Sequence, residues 1–146
     1  MSEEMPFSSA RDELAALTQA RIMRGVAALL TAGNEVTFRA LADASGVPER
    51  TIYRHFETKE AVFAAFWKWL NERLRMPAAP KSPEELIAQV PVLFEAFQAG
   101  EPLVRAMLHH TQGRATRLAN LEARRARVRD ALQEVLRLLE PAAQRR

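Results

Sequence analysis

Residues 37–56, TFRALADASGVPERTIYRHF, set a single glycine between two short apolar-periodic stretches, and this constrains the fold more than any other segment. The pattern predicts one helix from Thr37 to about Ala44, a break at Ser45-Gly46-Val47-Pro48, and a second helix from Pro48 to about His55. Leu41, Val47, Ile52 and Phe56 supply a shared core, and Ala42 is small enough for the two helices to cross closely. That is helix-turn-helix spacing, in which the second helix is the one that enters a DNA major groove. Its expected outward side chains are Glu49, Arg50, Thr51, Tyr53, Arg54 and His55, all able to hydrogen-bond and several suited to bases or phosphates. A small helical bundle with a glycine turn has the same spacing, so both readings remain open on spacing alone.

The rest of the chain predicts helices as well. Alanine and leucine number 43 against 19 for valine, isoleucine and threonine, a balance that favours helix over sheet. Gly33, Gly46, Gly100 and Gly113 each follow an apolar-periodic stretch, where helix C-caps belong. Ser9 with Asp12 reads as the N-cap of a first helix whose apolar stripe is Leu14, Leu17, Val26, Leu29 and Leu30. Gly25 inside that stripe costs about 1 kcal/mol against alanine, which suits a close helix crossing. Thr58 caps a longer helix through Val62, Phe63, Phe66, Trp67, Trp69, Leu70 and Leu74.

Residues 76–83 carry three prolines, counting Pro83, and mark a linker. Ser82-Pro83-Glu84-Glu85 then opens a helix with a capping box and a proline in its first turn. Leu86, Ile87, Val90, Leu93, Phe94 and Phe97 are its expected buried face, and Pro91 should kink or split it. A shorter helix starts at Gly100-Glu101-Pro102. The last helix is expected from about Ala115 to Leu139, with Leu118, Leu121, Val128, Leu132, Val135 and Leu139 in heptad spacing interrupted by Arg125. A proline break is expected at Pro141. The expected fold is therefore all-α, a DNA-binding unit over 9–75 followed by a helical bundle over 83–146.

Several functions are disfavoured. The chain has no cysteine, which removes thiol catalysis and Cys-based zinc sites. Adjacent His109 and His110 point about 100° apart on a helix and have no third ligand, so no metal or other cofactor is expected. Without a glycine-rich phosphate loop or a histidine–carboxylate cluster, the chain does not read as an enzyme. No apolar run approaches the roughly 18 residues of a membrane span. The net charge of +3 says little about a polyanionic partner, because residues 1–75 hold ten basic and ten acidic side chains. The excess lies in residues 76–146, where Arg114, Arg117, Arg124, Arg125, Arg127 and Arg129 crowd the last helix.

Lys59 lies in the first turn of the helix capped by Thr58, where a cation opposes the helix dipole by roughly 0.3–1 kcal/mol. A phosphate docking on the exposed N–H groups there would account for it, as would neutralisation by Glu57 and Glu60. The strings Thr37-x-Arg39-x-Leu41-Ala42, Ala44-x-Gly46-Val47 and Thr51-Ile52-Tyr53-x-His55-Phe56-x-Thr58-Lys59-Glu60 resemble the N-terminal domain of the TetR family of transcriptional regulators over about residues 10–75.

The resemblance implies that Thr37, Thr51, Tyr53, His55 and Lys59 fall on phosphate-gripping positions, and that Arg39, Glu49 and Arg50 fall on positions near base edges. Arg50 stands where the family often has glycine; a guanidinium there can read guanine or clamp a phosphate. The resemblance further implies a bacterial, cytoplasmic regulator, most often a ligand-responsive repressor that binds an operator in double-stranded DNA as a homodimer. Phe94, Phe97, Met107, His109 and His110 are the candidates for a small-molecule effector site, though aromatic and methionine stripes at helical spacing more often form core. Relatives usually continue for further helices that build the dimer, so 83–146 reads as an incomplete regulatory part. The alternative is a protein–protein interaction module that retains the helix-turn-helix as scaffold.

Overall fold

The computed structural model describes residues 10–143, except for the side chains of residue 131 and residues 134–143. Among the described residues there are seven α-helices and no strand: α1 (Ala10–Thr31), α2 (Phe38–Ser45), α3 (Glu49–His55), α4 (Lys59–Arg73), α5 (Pro83–Ala99), α6 (Glu101–His109) and α7 (Thr111–Ala143). The expected N-cap Ser9 lies outside them. Two compact units divide after Phe66, within α4.

The first unit has a dense core. Ile22, Met23, Val26, Leu29 and Leu30 of α1 are buried, together with Leu41, Val47, Ile52 and Phe56 of the helix-turn-helix and Val62, Phe63 and Phe66 of α4. Burying each such side chain stabilises by about 1.5–3 kcal/mol. Leu14 and Leu17, expected in the α1 stripe, are instead 65% and 62% exposed. The core begins only at Ile22, because α2 meets α1 farther along. That crossing is at Gly25, where a Cβ would lie 2.9 Å from the Ser45 Cβ and 3.2 Å from the Ser45 nitrogen. Glycine's cost in α1 is therefore the condition for α2 to lie against it.

The end of α1 closes in a Schellman motif. The Gly33 N–H donates to the Leu30 carbonyl and the Asn34 N–H to that of Leu29, with Gly33 at φ 71°. The end of α4 uses the same pattern without glycine. Arg75 N–H donates to Glu72 and Met76 N–H to Asn71, and Arg75 holds φ 52°, the left-handed region that L side chains disfavour.

The second unit buries less: Leu70, Ala96 and Met107 are its buried hydrophobic side chains among the described residues. The Ser82 hydroxyl accepts from the Glu85 N–H at 3.2 Å and the Glu85 carboxylate accepts from the Lys81 N–H at 2.7 Å, so the α5 cap forms as expected. Hydrogen bonds from its own backbone and from Ser82 hold the Glu84 carboxyl below its ordinary range. The α5 helix is continuous through Pro91, so the proline does not split it.

Its expected buried face is not buried. Ile87 and Phe94 are 72% and 67% exposed, Val90 and Phe97 are exposed too, and Leu86 and Leu93 are half-buried. Apolar side chains run along more than one side of α5, and only a narrow strip around Ala96 finds a neighbour close enough to cover it.

Gly113 caps no helix. It lies in the first turn of α7, where a Cβ would stand 2.2 Å from the Met107 carbonyl oxygen. Its absence lets the start of α7 sit on the end of α6. His110 is the sole residue between them: its N–H donates to Ala106 and its carbonyl accepts from Arg114. The last helix thus begins four residues before the expected Ala115, and it runs through Pro141 to Ala143 instead of breaking there. A proline this close to a helix end forfeits one hydrogen bond of a long ladder. In the heptad stripe, Leu118 is exposed while Leu121, Val128 and Leu132 are half-buried; the side chains of Val135 and Leu139 lie outside the described set.

Candidate nucleic-acid interface

Capping on α2 defines both ends of the first helix. Thr37 adopts extended backbone and its hydroxyl oxygen accepts from the Ala40 N–H at 3.1 Å, leaving Arg39 exposed in the first turn. At the other end Gly46 takes φ 63° and donates to the Ala42 carbonyl. Arg21 reaches across from α1, its Nη2 donating to the carbonyls of Gly46 at 3.0 Å and Ser45 at 3.3 Å. A guanidinium at these orphan carbonyls satisfies the C-terminus of α2 and complements its dipole. The turn that aims α3 is thereby held by a residue outside the motif.

On α3, Ile52 is fully buried and Phe56 follows four residues later at the C-cap, so one face of the helix is committed to the core. The opposite face must then carry Glu49, Arg50, Tyr53 and Arg54, all exposed, with Thr51 and His55 half-buried at its flanks. The Tyr53 ring stacks on Phe38, the first residue of α2, with ring centroids 4.2 Å apart and planes inclined by 13°. Half of Tyr53 stays exposed, at 49%. Its orientation relative to α2 is set by that stack.

The N-terminus of α4 lies beyond. The Thr58 hydroxyl oxygen accepts from the Ala61 N–H at 3.1 Å, as a cap should. Lys59 pairs with neither sequence neighbour among the described contacts; its Nζ sits 3.3 Å from Glu35 Oε1, in the loop before α2. The pair is exposed on both sides, so it is worth little to stability, about 0–1 kcal/mol. Glu35, Phe38 and Arg21 went unmarked in the sequence because their partners lie 15 to 25 positions away, and no local pattern signals such a pairing.

The effector candidates do not converge. Phe97 lines an open cleft of about 800 Å³ in the second unit, together with Leu93, Val104 and Leu121. Phe94 points to solvent, Met107 is buried beneath the start of α7, His109 is exposed and His110 is half-buried between α6 and α7. No group of three or more potential metal-ligating residues occurs among the described residues, and no described helix is long and apolar enough to cross a membrane.

A short helix capped at both ends, a tight glycine turn and a second helix with a polar, partly cationic outer face make up a helix-turn-helix. Residues 31–66, which hold the helix-turn-helix, match the family model of the bacterial regulatory proteins of the tetR family. The family is one of DNA-binding transcription regulators. No curated protein and no solved structure matches the chain.

Proposed function

We propose that the chain is a ligand-responsive transcriptional repressor whose DNA-binding domain spans 9–75 and whose regulatory domain spans 83–146. The observation that carries the DNA-reading part is the outer face of α3, where Arg50, Tyr53 and Arg54 stand together, Tyr53 braced by Phe38. In this reading Arg39, Glu49 and Arg50 approach base edges, while Thr37, Thr51, Tyr53, His55 and Lys59 hold phosphates and Arg54 adds charge beside them. A homodimer would present two such helices to half-sites about one helical turn apart. A ligand in the regulatory helices would change their separation and release the operator. The site of action is then the cytoplasm, and no catalysis is involved.

The test is an Arg50→Ala/Tyr53→Ala double variant, measured against a duplex site selected from a random-sequence library across a salt titration. Loss of sequence preference together with a shallower salt dependence supports the reading. Unchanged affinity at every salt concentration would sink it and favour a protein-binding module that keeps the helix-turn-helix as scaffold. The exposed Ile87, Val90 and Phe94 of α5 are what such a module would use.

A further inference from the structure

We infer that the cleft of the second unit receives an organic anion with an apolar body, a carboxylate or phosphate head on a hydrocarbon chain. The inference rests on the ligand-responsive reading above and specifies its ligand. The cleft measures about 800 Å³, a size suited to a small molecule. Its apolar wall comes from Leu70, Leu74, Leu93, Phe97, Val104 and Leu121. Its charge is one-sided: Lys68, Arg75, Arg117, Arg124 and Arg127 line it against the single carboxylate of Glu72.

That carboxylate lies 4.0 Å from the Lys68 Nζ four residues before it, so its nearest basic neighbour is on its own helix. Among the described residues no carboxylate pairs with Arg75, Arg117, Arg124 or Arg127. Arg117 and Arg124 are moreover only half-exposed. Residues 117, 121 and 124 follow a 4-3 spacing, so both arginines share one face of α7 with Leu121. A solvated arginine row would fan into water on the far side of the helix. Here the guanidinium stems line the same cleft as Phe97 and Leu93. Guanidinium groups are planar donors that grip carboxylate or phosphate oxygens in pairs, and their stems tolerate an apolar neighbour. The sequence already concentrated basic residues here without showing that three of them converge on a cavity.

Trp67 lines the cleft and Trp69 is the only other tryptophan in the chain, so a Trp69→Phe variant carries one reporter at the site. Its fluorescence is titrated with dodecanoate, dodecyl phosphate and dodecan-1-ol below their aggregation limits. The expected result is saturable binding of both anions, at least about tenfold tighter than the alcohol, with the advantage lost in an added Arg117→Gln/Arg124→Gln pair. The alcohol comparison is made on the same protein and does not depend on how well the glutamine variant folds. Equal binding of alcohol and anions overturns the anion assignment and leaves the repressor reading standing. Binding of none of the three overturns the cleft as this ligand's site. The repressor reading is judged separately by the α3 double variant.

Discussion

Tyr53 of α3 stacks face-on against Phe38 at the start of α2, the two rings 4.2 Å apart. The contact joins the two helices of the motif on their outer side, where the buried core cannot reach. Replacing Phe38 with alanine should remove about 0.5–1.5 kcal/mol of stacking and leave Tyr53 free to rotate. DNA affinity should fall by a factor comparable to Tyr53→Ala, and the double variant should be no worse than either alone. Additive losses in that cycle would show that the ring pair does not act as a unit.

Glu35 occupies Lys59 in the free protein. Glu35→Gln should leave thermal stability nearly unchanged, because the pair is exposed. It should tighten DNA binding at low salt, with the log–log salt slope steepening by up to about 0.9, the increment for one added phosphate contact. An unaltered slope would place Lys59 away from the phosphate backbone.

Gly25 and Gly33 should respond differently to alanine. At Gly25 the new Cβ meets Ser45 side chain and backbone at 2.9 and 3.2 Å, and a backbone nitrogen in a capped helix cannot yield cheaply. The cost should be about 1–3 kcal/mol, less the roughly 1 kcal/mol that alanine gains in a helix. Because α2 would be displaced, DNA binding should fall as well. At Gly33 nothing lies within 4 Å, and only the left-handed backbone opposes the change, at about 1–2 kcal/mol. Urea denaturation and DNA titration of the two variants separate these effects.

Arg75 holds a left-handed conformation that glycine adopts freely. Arg75→Gly should stabilise the chain by about 1 kcal/mol, seen as a higher Tm. It should also weaken dodecanoate binding, since the same side chain lines the cleft. A rise in Tm with unchanged dodecanoate affinity would remove Arg75 from the ligand's reach.

Helix positions were legible wherever a local signal defined them. Thr37, Gly46, Thr58 and Ser82 act on groups two to four residues away, and the structure keeps every one of those caps. The α3 face followed from Ile52 and Phe56 alone, because a helix with one buried stripe has only one other side to show. Legibility failed where burial depends on a distant neighbour. Periodicity marks Phe94 and Ile87 as apolar positions on α5, but it cannot say whether anything covers them. Gly113 looked like a cap because its close approach to the Met107 carbonyl is a tertiary fact with no sequence signature.

The amino-acid order by itself determined an all-α chain and the two helices of the helix-turn-helix, since these rest on 3.6-residue periodicity, caps and a contiguous motif. Only the tertiary structure decided that Arg21 clamps the turn, that Glu35 holds Lys59, and that Arg117 and Arg124 face a cleft beside Phe97. Those relationships join groups far apart along the chain. Local propensity acts over a turn or two, whereas which distant surfaces meet is set by how the helices pack.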